Sequence, residues 1–178
     1  SDGLGTLEFS AGARAGSAEV TLTSPGFAPV SFPLKVEPAD PAKILVSADR
    51  TSMDANDENA EIRLDIRVVD AFGNTATDFF DRVYLNPNEP EIFHTGDFDL
   101  LVDLEVISKV DSEKYALEEE AETARGEGTS PDDQLIETED GMSLKLFAGQ
   151  EEIKIPPQSG MGKILMTVKS PGLVPATT

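Results

Sequence analysis

Residues 16–29 of this 178-residue chain return as residues 162–175 at a constant offset of 146. Thr21 falls on Thr167, Ser24-Pro25-Gly26 falls on Ser170-Pro171-Gly172, and Val20, Leu22 and Phe27 fall on Met166, Val168 and Leu173. This limits the fold sharply, because whatever local structure the first copy makes, the second must also be able to make. The simplest organisation is a tandem array with a period near 146. The chain then holds the C-terminal strands of one unit, residues 1–37, and nearly all of the next, 42–178, which lacks a counterpart of 31–36. Residues 38–41 between them carry Pro38 and Pro41, which remove backbone donors and stiffen the segment as a linker.

The hydropathy pattern is period two. Residues 19–23 and 31–36 alternate, and 60–68 alternate over nine positions with Ile62, Leu64, Ile66 and Val68 on one face and Arg63, Asp65 and Arg67 on the other. That is the signature of half-buried strands. Shorter apolar segments at 43–47, 82–85, 100–107, 144–147, 152–155 and 164–168 add more strands, separated by Gly, Pro, Asn and Asp. Seven or more short strands predict an all-β sandwich. One stretch differs: 112–125 is rich in Ala, Glu and Leu behind Ser112, which fits a short helix or an unfolded acidic loop equally.

Charge excludes several partners. The net charge is −20, and residues 89–140 hold 18 acids against three bases, so the excess belongs to an acidic insertion of the second unit. Such a chain repels nucleic acid and anionic membranes. No apolar run reaches the roughly 20 residues of a spanning helix. With no cysteine and one histidine, disulfides, thiolate metal sites and multi-histidine centres are ruled out.

The strand at 41–49, the turn residues 52–56, the strand ending Val69-Asp70 with Gly73-Asn74 behind it, and Val83-Tyr84-Leu85 together resemble the bacterial Ig-like domains of invasin/intimin-type surface proteins. Those domains open with a Pro-Ala-x-Ile-x-Val strand and carry a strand ending Val-x-Asp-x-x-Gly-Asn. The resemblance covers 41–85 and weakens over 89–160. It implies an Ig-like β-sandwich and a non-catalytic spacer or adhesive module at a bacterial cell surface or outside the cell. Its partners would be neighbouring units of the same chain and a protein or glycan receptor. The alternative is an accessory, ligand- or carbohydrate-binding module of a secreted enzyme. Locally, Asp70 is placed to accept turn amides, and Gly73 and Asn74 tolerate the positive φ of a reversal.

Catalytic chemistry finds little support. His94 lies near Asp97 without a Gly-x-Ser-x-Gly element, and the absence of Trp leaves few sugar-stacking platforms, so the chain is read as no enzyme. No cofactor is required. Calcium is the one ion its chemistry admits, since hard cations take oxygen ligands from turns. The candidate ligands are Asp54, Asn56 and Asp57, with Asp70, and Asp97 with Asp99 in the acidic stretch. A solvated acidic face explains the same residues. The strand missing from the second unit also opens the way to strand exchange between copies.

Overall fold

A computed structural model describes residues 5–54, 57, 59–87, 91–92, 105–107, 135–138, 141–156, 162–163 and 165–178. The chain is an Ig-like β-sandwich, and among the described residues every regular element is a strand. The stretch 112–125 and residues 100–104 lie outside the described residues, as do His94, Asn56, Asp97 and Asp99.

One layer is built from β3 (Pro41–Ala48), β4 (Ile62–Asp70), β10 (Gln150–Ile155) and β7 (Glu105–Ile107), in the order β3-β4-β10-β7. The other contains β5 (Arg82–Pro87), β8 (Leu135–Thr138), β9 (Gly141–Lys145), β12 (Met166–Lys169) and β13 (Ala176–Thr177), in the order β13-β12-β5-β9-β8. A short pair joins β6 (Glu91–Ile92) to β11 (Gly162–Lys163). All these strand pairs are antiparallel.

β4 shows how the sequence makes the layer. Leu64, Ile66 and Val68 are buried on one face, while Arg63, Asp65 and Arg67 point the other way. Their counterparts from the second sheet are Val83, Leu85, Leu144 and Val168, each fully buried. On the outer face, Arg63 pairs with Glu61 at 2.6 Å and lies 3.8 Å from Glu152, and Lys154 reaches Glu61 at 3.3 Å. These are exposed ion pairs, worth little each. The core supplies the stability, and Ile153, with no exposed surface, samples it. Ile153→Val should cost about 1 kcal/mol in a urea titration with the slope unchanged.

Residues N-terminal to the sandwich form their own two-stranded sheet, with β1 (Gly16–Leu22) paired antiparallel to β2 (Val30–Val36). Its match to the end of the sandwich extends to the hydrogen bonds. Thr21 faces Ser31 and Leu22 faces Val30, just as Thr167 faces Thr177 and Val168 faces Ala176. In both hairpins the cross-strand hydroxyls meet, at 2.7 Å and 3.1 Å. In both, the Ser-Pro-Gly turn closes with an amide donating back to the serine carbonyl, Phe27 to Ser24 at 3.1 Å and Leu173 to Ser170 at 3.2 Å. Gly26 and Gly172 sit at φ 83° and 77°, a region glycine enters without strain. The sequence repeat is therefore a repeat of one hairpin in one register.

Candidate functional site at the junction of hairpin and sandwich

Among the described residues, six side-chain hydrogen bonds converge where β4 ends. Asp70 closes that strand with no exposed surface. Its Oδ1 accepts from the Phe72 and Asn74 amides, both at 2.9 Å. Its Oδ2 accepts from the Ala39 amide at 3.0 Å and from Asn74 Nδ2 at 2.8 Å. Burial alone would raise this carboxyl's pKa, but the bonds from Asn74, Ala39 and Phe72 outweigh it and hold the group at about 2. The carboxylate thus fixes both its own turn and the linker, because Ala39 lies between Pro38 and Pro41.

The turn is tight. Asp70 N donates to Asn74 O at 2.9 Å, and Gly73 N donates to Asp70 O at 3.2 Å. Gly73 takes φ 91° as expected, whereas Asn74 is not left-handed. Asn74 serves the junction through its side chain instead. Its Nδ2 donates to Ala13 O at 2.8 Å and its Oδ1 accepts from Ala15 N at 2.9 Å. One side-chain amide thereby satisfies a carbonyl and an N–H of the backbone leading into β1.

Three segments distant in sequence therefore meet at two adjacent side chains: the entry to the hairpin at Ala13 and Ala15, the linker at Ala39, and the loop after β4. The arrangement can set an orientation but holds no nucleophile or acid–base pair. Replacing Asn74 by alanine removes two bonds to the hairpin entry and one to Asp70. It should lower the melting temperature by only about 5 °C while freeing the hairpin.

Of the other expected oxygen ligands, Asp54 and Asp57 lie in a separate loop, while Asn56, Asp97 and Asp99 fall outside the described residues. Asp57 caps its own loop, accepting from Asn59 N at 3.0 Å, and its amide donates to Asp54 O at 3.2 Å. Among the described residues, no three His, Cys, Asp or Glu side chains are grouped so as to hold a metal ion. One acidic residue escapes the sequence reading: Glu151, on β10 opposite Ile66, is 1% exposed, and its Oε1 lies 3.3 Å from the Glu152 amide. Counting back in twos from Ile155 and Ile153 places it on the inner face, so the signal was present.

No protein-family model matches the chain, and no curated protein matches it. Solved structures do resemble it. A glycosyl hydrolase family 2 member from Bacteroides cellulosilyticus aligns with a TM-score of 0.50 and 19% identity, covering 93% of this chain and 18% of that one. A beta-glucuronidase from glycoside hydrolase family 2 aligns with a TM-score of 0.51 and 13% identity, covering 93% of this chain and 14% of that one. The chain thus spans less than a fifth of either enzyme. At these identities what is shared is the fold, an Ig-like β-sandwich.

Proposed function

We propose that this chain is a non-catalytic accessory module of a larger extracellular enzyme, and that it holds consecutive β-sandwich units at a set angle. The observation that carries this reading is the junction, where Asn74 takes the hairpin entry and Asp70 takes the linker. Three of the four donors to Asp70 stabilise its own turn, but the Ala39 amide and the two bonds from Asn74 to Ala13 and Ala15 tie the preceding segment to the sandwich, as a spacer that orients its neighbour requires. The likeness to glycoside hydrolase family 2 enzymes supports the setting, since a chain covering 14–18% of them fits one accessory part. Calcium, a glycan or a protein receptor would be additions to this role.

A second reading is favoured by a different observation. Two hairpins matching in register at a spacing of 146 residues suit a tandem-repeat spacer or adhesive module of a bacterial surface protein. Both readings make the chain a spacer, and they differ in what it is attached to.

Catalysis tests them together. Incubated with a panel of aryl glycosides, including glucuronides and galactosides, the chain should release no more aglycone than buffer. Turnover that disappears on replacing a single carboxylate would overturn the proposal.

A further inference from the structure

The two hairpins share a register but not an environment. In the sandwich, Met166 and Val168 of β12 are buried in the core, and Leu173 and Ala176 pack against it. Their counterparts in the first hairpin are Val20, Leu22, Phe27 and Val30. Leu22 is 42% exposed, Phe27 78% and Val30 61%. By the pairing register, Val20, Leu22, Val30 and Phe32 all project from one face of the β1–β2 sheet. Phe9 covers part of Phe32 in an edge-to-face contact at 6.3 Å but is itself 52% exposed. Among the described residues no second layer covers this face. An apolar sheet face of this kind marks an interaction surface.

The chain also shows what a covering layer looks like. β12 pairs along β5, with Val168 opposite Leu85 and Thr167 opposite Asn86. Beyond the Ser-Pro-Gly turn, Val174 exchanges backbone bonds with β3, accepting from Ile44 N at 2.9 Å and donating to Ala42 O at 3.1 Å. The slot is thus the edge of β5 plus the start of β3. The alternation and the Ser-Pro-Gly turn of that slot's occupant recur in the first hairpin at an offset of 146, with Val20 standing for Met166 and Ala28 for Val174.

We propose that the β1–β2 hairpin of one copy occupies this slot in a second copy, displacing the β12–β13 hairpin in a reciprocal exchange. The incoming hairpin places Leu22 for Val168, Phe27 for Leu173, Val30 for Ala176 and Phe32 for Thr178, each larger, and Val20 for Met166 and Ala28 for Val174, each smaller. The exchange covers the β1–β2 face and uncovers the β12–β13 face in its place, so its driving force is the difference in apolar area between the two hairpins. Two copies, each with net charge −20, repel, so salt should favour the pair. Opening the native hairpin makes the process slow and accelerated by warming.

Sedimentation of the full chain, held warm at high concentration and about 0.5 M salt to suppress repulsion, is expected to show the doubled mass. A chain that stays monomeric after this treatment overturns the proposal. Because the chain has no cysteine, engineered thiols report the geometry. Exchange sets Thr21 of one copy opposite Asn86 of the other, so a mixture of Thr21→Cys and Asn86→Cys chains should form the mixed disulfide. Links only between Thr21→Cys chains would refute exchange, as would a doubled mass with no mixed link. Melting curves of the single variants verify that each remains folded.

Discussion

Gly149→Ala should cost about 4 kcal/mol or more, since among the described glycines compared for an added Cβ it is the one where that atom meets backbone. Gly149 follows Ala148 in the turn from Phe147 to Gln150, with φ values of 49° and 70°, and this turn carries the chain from one sheet of the sandwich to the other. Its N–H donates to Phe79 O at 2.8 Å, and its carbonyl accepts from Val68 N at 2.7 Å. A Cβ here would land on the carbonyl oxygen of Ala76, a backbone atom that cannot swing aside. Strain and collision therefore add. Gly73→Ala is the control: Gly73 has φ 91°, but nothing lies near its absent Cβ, so strain alone should cost about 1–2 kcal/mol. Urea titrations of both variants give the comparison. Near-equal losses would show that the Ala76 backbone yields.

Asp70→Asn should lower the melting temperature by roughly 10–15 °C near neutral pH. An asparagine keeps one acceptor oxygen and turns a donor toward the N–H groups of Phe72, Asn74 and Ala39. The effect should also depend on pH, with a sign fixed by the depressed pKa. The folded group titrates at about 2 against an ordinary value of 3.8, so the unfolded chain binds the proton more readily. The stabilisation is complete above about pH 4 and is lost as pH falls toward and through 2. The gap in melting temperature between wild type and Asp70→Asn should accordingly narrow from pH 5 to pH 2. A gap constant over that range would mean that the carboxylate's charge is not what the donors require.

Sequence reading reached the parts of this fold governed by short-range periodicity. The alternation through Leu64, Ile66 and Val68 needs only the pleat, and β4 follows it residue by residue. The internal repeat announced a hairpin whose register both copies then adopt. Shorter strands were beyond reach: β6, β11 and β13 are two residues each, too short for any period, and they exist because a neighbour is there to pair with. β8, with Ile136 exposed beside Leu135, lies at a sheet edge where burial imposes little pattern.

The junction was half legible. An aspartate before Gly73 and Asn74 reads as a turn that accepts its own amides, and Phe72 and Asn74 do donate to Asp70. The reach of Asn74 to Ala13 and Ala15, about sixty residues away in the chain, belongs to tertiary structure. Nothing in local composition encodes it. The same residue type that relaxes a turn here tethers another segment, and only the fold distinguishes the two uses.

Asp70 and Asn74 tie the linker and the hairpin entry to the sandwich. Spin labels at Glu19→Cys, on the outer face of β1, and Lys169→Cys, on the exposed end of β12, would be the chain's only thiols. Dipolar distance measurements at low protein concentration should give one narrow distribution, which broadens when Asn74→Ala is added although the sandwich still melts cooperatively. A broad distribution in the parent chain, or a narrow one that Asn74→Ala leaves unchanged, would contradict the account.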